Sequence, residues 1–148
     1  MGIQVTRIIY LYKAYIKIMY TKTTRNIKVT VFPSYLEQFS KPEDDCFVWS
    51  YRIQLENHGK ENIQLVNRYW QITDSMGYVQ EVRGAGVVGE QPVLQPGDIF
   101  EYTSGVPLNT PSGIMLGAYE MILESGEKIS VEVPAFSLDS LLTKSRPN

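Results

Sequence analysis

The chain has 148 residues, 43% apolar and 20% charged, which suits one domain with its own core and is too short for two ordinary domains. A single cysteine, Cys46, and the lack of any Asn-x-Ser/Thr acceptor exclude a disulfide-stabilised secreted domain, so we expect a cytoplasmic protein. One histidine and one cysteine are too few ligands for a Cys/His zinc site. The histidine, His58, lies in the turn sequence 57–59, so a catalytic triad is not expected either.

Charge is distributed unevenly along the chain. Residues 1–25 carry five basic residues and no acidic one, whereas the remainder carries nine basic and 16 acidic residues. An acidic surface repels phosphate backbones, so we expect no nucleic-acid partner. The acidic run at 43–45 is interpreted as a solvated loop, and no metal ligand is assigned to it.

Residues 1–18 are predicted to be an N-terminal extension outside a single domain formed by 19–148. Lys13 and Lys17 interrupt the apolar run, so no membrane span is expected. An amphipathic interfacial helix is the alternative, because the two lysines are four residues apart. In the preferred interpretation the extension need not be translated, and Met19 opens the functional chain. The intact mass of the native protein tests this, and a species beginning at Met1 would contradict it.

From residue 26 onward, apolar residues recur with a period of two, which is typical of half-buried strands. Pro33 is expected to end the first strand, since it cannot donate to a ladder. Trp70 has the opposite parity to Leu65, which predicts a bulge near 66–68. The predicted strands are 27–31, 47–55, 63–72, 78–82, 99–104, 115–124 and 128–133.

Seven strands with hairpin signals and no helical segment predict an all-β fold. We expect an antiparallel β-sandwich of immunoglobulin or fibronectin type III-like kind, with a β-barrel as the alternative. The aromatic residues Trp49, Tyr51, Tyr69 and Trp70 are expected in the core or on sheet faces rather than on a base-stacking platform, because they follow regular strand parity.

The glycines Gly84, Gly86 and Gly89 match G-x-G-x-x-G, the dinucleotide-binding fingerprint. That motif must open a helix, whereas here Pro92 follows shortly and no helical period appears, so a dinucleotide site is not expected. Two interpretations remain. The glycines allow positive φ and close backbone approach in a connection, or their amides form an anion nest beside Arg83. Under the second interpretation the ligand-binding residues are Arg83, Gly84, Gly86 and Gly89.

Several runs of the sequence carry a family resemblance. Arg-Tyr-Trp-Gln-Ile-Thr-Asp at 68–74, the glycine run at 82–92 and Gly-Ile-Met-Leu-Gly-Ala-Tyr at 113–119 resemble the ApaG family, and the likeness extends over about 26–138. It implies a fibronectin type III-like sandwich with no established catalysis. The family is linked to cobalt resistance and magnesium efflux, and an adaptor role is inferred for related eukaryotic domains. No residue is carried over as catalytic.

We therefore predict a non-enzymatic binding module without a cofactor, which presents the loop 84–96 and the neighbouring sheet surface to an unidentified protein partner. One alternative is a binder of a small phosphate-containing anion, such as pyrophosphate or a dinucleoside polyphosphate. Another is a factor in cobalt or magnesium homeostasis, which would need oxygen ligands.

Overall fold

The computed structural model describes residues 6–12 and 15–140, and it defines side chains from Ile18 onward. This part of the chain contains ten β-strands, two single-turn 3₁₀ segments at 37–39 and 42–44, and no α-helix. The strands are β1 (Thr6–Tyr12), β2 (Tyr15–Thr24), β3 (Ile27–Tyr35), β4 (Phe47–Asn57), β5 (Ile63–Asp74), β6 (Val79–Ala85), β7 (Val93–Leu94), β8 (Ile99–Leu108), β9 (Ser112–Leu123) and β10 (Lys128–Asp139).

The strands form two antiparallel sheets. The first has the order β1-β2-β3-β4-β8, and the second has the order β10-β9-β5-β6, with the short β7 also pairing with β5. Alternate residues are buried between the sheets most regularly along β4, and also along β9 and β10. The predicted β-sandwich is therefore confirmed, and the barrel alternative is wrong because the described strands divide into two separate sheets.

All seven predicted strands are present, as β3 to β6 and β8 to β10, and three more are added. The additions are β1, β2 and the two-residue β7. The alternative of an interfacial helix near the N-terminus is wrong, since β2 pairs with both β1 and β3. This segment is rich in Ile, Tyr and Thr, which favour a pleated strand when partner strands are available.

The predicted domain boundary after residue 18 falls within β2. Ile18 and Tyr20 are both buried. The Tyr20 ring lies 6.2 Å from that of Phe136 on β10, and its hydroxyl accepts a hydrogen bond from the Ser137 N–H at 3.3 Å. Residue 18 thus contributes to the core, while the start of translation at Met19 stays a prediction.

The expectation that Pro33 ends the first strand is wrong. Strand β3 continues to Tyr35, and Pro33 itself pairs with Tyr51 of β4. The proline is tolerated because β2 pairs with β3 only as far as Val31. Beyond that point one side of β3 needs no ladder donor, so a residue without an N–H costs nothing there.

The predicted bulge is confirmed by a register shift between Leu65 and Asn67 in the pairing of β5 with β9. Trp49, Tyr51 and Trp70 are buried in the core as expected. Tyr69 lies on a sheet face, also as expected, because it pairs with Arg83 and Ala118 on the outer side of the second sheet.

Candidate functional site

The glycine motif spans the end of β6 and a tight hairpin that follows it. Val87 and Glu90 exchange two backbone hydrogen bonds, at 2.8 and 2.9 Å, across the two residues Val88 and Gly89. Both central residues have positive φ, 43° and 81°. This is the signature of a type I′ turn, which closes a β-hairpin. The motif does not open a helix, so it is not a dinucleotide fingerprint.

Gly86 is required by its surroundings. Its φ is +62°, and a Cβ built there would lie 2.2 Å from the carbonyl oxygen of Glu90. Its N–H donates to the carbonyl of Val66 at 2.8 Å. The structural interpretation of the glycines is therefore confirmed at this position. The amides of Gly86 and Val87 are both used inside the fold, which removes them as donors of an anion nest.

Arg68 is a residue that the sequence analysis missed. It pairs with Gly84 on one side and with the buried Tyr119 on the other, which places it on the core side of the second sheet. Its guanidinium occupies the space a Gly84 side chain would need, since a Cβ there would lie 2.9 Å from its nitrogens. The parity of Trp70 and Ile72 was the available signal, because Arg68 shares it.

The Arg68 guanidinium binds the backbone at the end of β6, where the hairpin begins. Its Nη1 donates to the carbonyls of Ala85 and Gly86, each at 2.9 Å. Among the described residues it has no carboxylate partner. Arg68 therefore ties the start of the hairpin to β5 and keeps unused hydrogen-bonding capacity.

Three tyrosine hydroxyls lie inside the sandwich within electrostatic range of Arg68. The hydroxyls of Tyr102 in the first sheet and Tyr119 in the second are 2.5 Å apart. Burial raises the pKa of both phenols above the ordinary value, although the charge of Arg68 opposes this. Burial likewise raises the pKa of Tyr51, which a hydrogen bond with Ser104 partly offsets.

A groove of about 740 Å³ lies on the outer face of the second sheet, beside the glycine segment. It crosses all four main strands, and its lining is formed by Asn67, Arg68, Tyr69, Arg83, Gly84, Ala85, Ala118, Glu120, Lys128, Ile129 and Ser130. Two cationic residues of the outer face, Arg83 and Lys128, line it beside one acidic residue, whereas the Arg68 guanidinium lies on the core side of the sheet. We call this groove the basic groove.

The predicted site residues are divided by the structure. Arg83 and Gly84 line the basic groove, whereas Gly86 and Gly89 belong to the hairpin beyond it. The Arg83 guanidinium lies over the Tyr69 ring, 4.3 Å from its centroid. The lone acidic side chain, Glu120, accepts a hydrogen bond from the Asn67 Nδ2 at 2.7 Å.

The same outer face is apolar toward the other end of the strands. Val79 and Ile114 occupy one cross-strand row, joined through Thr73, and are 55% and 54% exposed. Leu116 lies in the next row and is 37% exposed. Exposed aliphatic side chains that adjoin one another on a sheet are typical of an interaction surface.

The outer face of the first sheet differs where β4 meets β8. There Arg52 stacks on the Phe32 ring at 4.0 Å and donates to Glu101 at 2.8 Å, and Gln54 donates to the same carboxylate. These groups satisfy one another within the fold.

Val88 lies at the tip of the hairpin 87–90, here called the glycine hairpin. Its side chain is 57% exposed, and its backbone φ of 43° is unfavourable for a β-branched residue.

Within the described part of the chain, no three or more His, Cys, Asp or Glu side chains come together in a way that could hold a metal ion. The acidic run at 43–45 is fully exposed. His58 is also exposed and lies 3.3 Å from Glu56. Over the same residues, no helix has the length and apolarity needed to cross a membrane.

The fold and this site define a class of protein, a fibronectin type III-like antiparallel sandwich with a glycine hairpin and a grooved outer face. The ApaG domain model matches residues 37–123. The chain is 61% identical over 130 residues to Protein ApaG of Rhodospirillum centenum, which covers 88% of this chain and 100% of that protein. The corresponding protein of Paramagnetospirillum magneticum is 58% identical over 130 residues, with the same coverage.

The fold has also been seen in solved structures of relatives. The putative ApaA protein from Bordetella pertussis is 44% identical, with a TM-score of 0.75, covering 76% of this chain and 92% of that chain. The chain therefore belongs to the ApaG domain family.

Proposed function

We propose that this chain is a cytoplasmic, non-enzymatic protein-binding module whose docking surface is the outer face of the second sheet. The observation that carries the proposal is the set of exposed aliphatic side chains on that face, Val79, Ile114 and Leu116. These side chains adjoin one another on the sheet, and a partner that buried them would gain free energy from removing their apolar surface from water.

The glycine hairpin supports the same face. Val88 is β-branched and adopts a left-handed conformation that Asn or Gly adopts far more readily. A strained backbone conformation at a hairpin tip costs stability, and Val88 leaves more than half of its surface exposed. Contact between Val88 and a partner would offset this cost.

Affinity capture from a lysate of the native host, read by quantitative mass spectrometry, tests the proposal. Wild type is compared with Ile114→Glu, which places a charge in the centre of the apolar area. We expect at least one partner to be retained by wild type and reduced tenfold or more by the variant, since a buried charge without a counterion is costly at an interface.

Ile99→Glu is the matched control. Ile99 is 63% exposed but lies on β8 of the first sheet, so the substitution has the same chemistry on a different surface. Equal losses with both variants, or equal retention by all three proteins, would contradict the proposed docking face. Thermal unfolding of each variant verifies that the fold is intact.

A small-anion binder is a second candidate, favoured by the two cations on the outer face of the basic groove. Because the Gly86 and Val87 amides are engaged elsewhere, the donors would come from Arg83 and Lys128. NMR titration with pyrophosphate should then shift groove amides saturably. Shifts that do not saturate, or that fall outside the groove, would contradict this candidate.

A further inference from the structure

We infer that the partner presents an acidic, extended segment, which lies across the strands in the basic groove. This inference rests on the proposed function and adds the chemistry of the partner to it. The outer face of the groove presents Arg83 and Lys128 beside a single acidic lining residue, Glu120. It does so in a chain of net charge −2 whose residues beyond 25 carry nine basic and 16 acidic side chains.

The groove cations have few partners within the fold. Arg83 approaches Glu81 only to 3.9 Å, beyond hydrogen-bond distance, and Lys128 has no ion pair among the described residues. Elsewhere Arg25 and Arg52 are each bound to a carboxylate at hydrogen-bond distance. The positive charge of the groove is therefore available to a ligand.

Arg83 is held in an orientation that suits carboxylate binding. Its guanidinium lies over the Tyr69 ring, which restrains the planar group but leaves the N–H groups at its edge free to donate. A guanidinium fixed in this way can bind a carboxylate through two parallel hydrogen bonds. The single groove carboxylate, on Glu120, is directed to the Asn67 amide and so competes little.

The length of the groove indicates an extended segment. Arg83 lies on β6 and Lys128 on β10, with β5 and β9 between them. Neighbouring strands are about 4.8 Å apart, so the two backbones are separated by at least roughly 14 Å. Arg83 shares a cross-strand row with Tyr69, Ala118 and Glu132, and Lys128 lies four residues before Glu132, so the two positions are also offset by about 13 Å along the strands. An extended peptide rises about 3.3 Å per residue, so about six residues with acidic side chains near both ends span the resulting separation of roughly 19 Å. Ala118 lies on β9, one of the two strands between β6 and β10, and its small side chain leaves room for the peptide backbone to approach.

The test uses a peptide of eight residues in which Glu and Thr alternate, titrated into the full ¹⁵N-labelled protein. A peptide with Gln in place of Glu is the neutral probe. We expect saturable amide shifts at Arg83, Gly84, Lys128 and Ser130 with the acidic probe only. The apparent Kd should rise several-fold between 50 and 300 mM salt, because ion pairs at an exposed surface are screened.

The double variant Arg83→Glu/Lys128→Glu should weaken binding at least tenfold. Lys41→Glu/Lys60→Glu is the matched control, since it changes net charge equally at two exposed lysines outside the groove. Equal weakening by both pairs, shifts outside the groove, or equal binding of the neutral peptide would overturn the inference. It would also be overturned if pyrophosphate saturated the same amides at lower concentration than the acidic peptide, because the site would then be one for small anions.

Failure of this inference is distinguishable from failure of the proposed function. If the charge variants leave a captured partner unchanged while Ile114→Glu removes it, the docking face stands and the partner is not acidic. If Ile114→Glu has no effect, the docking face itself is wrong.

Discussion

Gly117 shows how one residue without a side chain permits the packing of a large one. A Cβ at this position would lie 2.3 Å from the carbonyl oxygen of Tyr69 and 2.7 Å from Cε3 of Trp70. Trp70 is 3% exposed and makes edge contacts with the rings of Tyr51 and Tyr119. The absence of a side chain at Gly117 thus leaves the room that the Trp70 indole occupies in the core.

We expect Gly117→Ala to lower the free energy of unfolding by about 3 kcal/mol, because neither a strand carbonyl nor a packed indole can move away without strain. Urea unfolding measures the change. Gly126→Ala is the control, since that glycine has a φ of +92° and open space around it, and should cost only about 1 kcal/mol. A loss at Gly117 no larger than that at Gly126 would contradict the packing explanation.

The glycine hairpin places an exposed residue, Val88, in a turn conformation with positive φ. Arg68 holds the carbonyls at its base, while the Val87–Glu90 pair closes it. Its central dipeptide, Val88-Gly89, would be Asn-Gly in the most favourable type I′ sequence. The hairpin is therefore well anchored at its base and strained at its tip.

Val88→Asn should raise the free energy of unfolding by about 1 kcal/mol, because asparagine tolerates positive φ where a β-branched residue does not. The midpoint of urea unfolding reports this gain. Val93→Asn serves as the comparison, since Val93 is 55% exposed like Val88 but lies in strand β7. A gain in both variants, or in neither, would show that φ at Val88 is not the cause.

The two sheets are joined by a polar contact between two buried side chains. Tyr102 and Tyr119 come from different sheets, and their hydroxyls share a hydrogen bond of 2.5 Å. Burial raises the pKa of both phenols above the ordinary value of 10.0. The sandwich therefore holds both side chains in their neutral form.

This contact predicts a loss of stability in alkali. Above pH 10 the unfolded chain releases the phenol protons while the folded chain retains them, so the unfolded state binds fewer protons and the free energy of unfolding falls. Below pH 10 the two phenols contribute no pH dependence. The expected slope is up to about 1.4 kcal/mol per pH unit for each tyrosine. Urea unfolding from pH 8.5 to 11.5 measures it.

The double variant Tyr102→Phe/Tyr119→Phe provides the reference. Removing both hydroxyls leaves no unpaired donor, so the variant should unfold with similar free energy at pH 8.5. Its stability should then decline less steeply than that of wild type above pH 10. Parallel curves for the two proteins would refute the link between these phenols and alkaline unfolding.

The predictions from sequence were most accurate where burial alternates along one strand. The pattern of β4 and the change of parity between Leu65 and Trp70 report directly on which side of a sheet each residue occupies. The N-terminal strands were missed because residues 1–18 were interpreted as an extension outside the domain, with an interfacial helix as the alternative. Their pairing in the first sheet depends on a neighbouring strand that local pattern does not reveal. Pro33 was misjudged for the same reason, since its cost depends on whether a second strand lies beside it.

Alternating apolar residues and turn signals were enough to predict an all-β antiparallel fold, because each of these is a local property of the chain. The choice of a sandwich over a barrel required the division of the strands into two sheets. The basic groove was not accessible from local pattern either. Arg83 and Lys128 share one face only because β6 and β10 belong to the same sheet, with β5 and β9 between them, in an order that does not follow the chain. The tertiary structure alone decided which charges share a surface, since strand order is set by burial of whole sheets against each other and not by the residues that face outward.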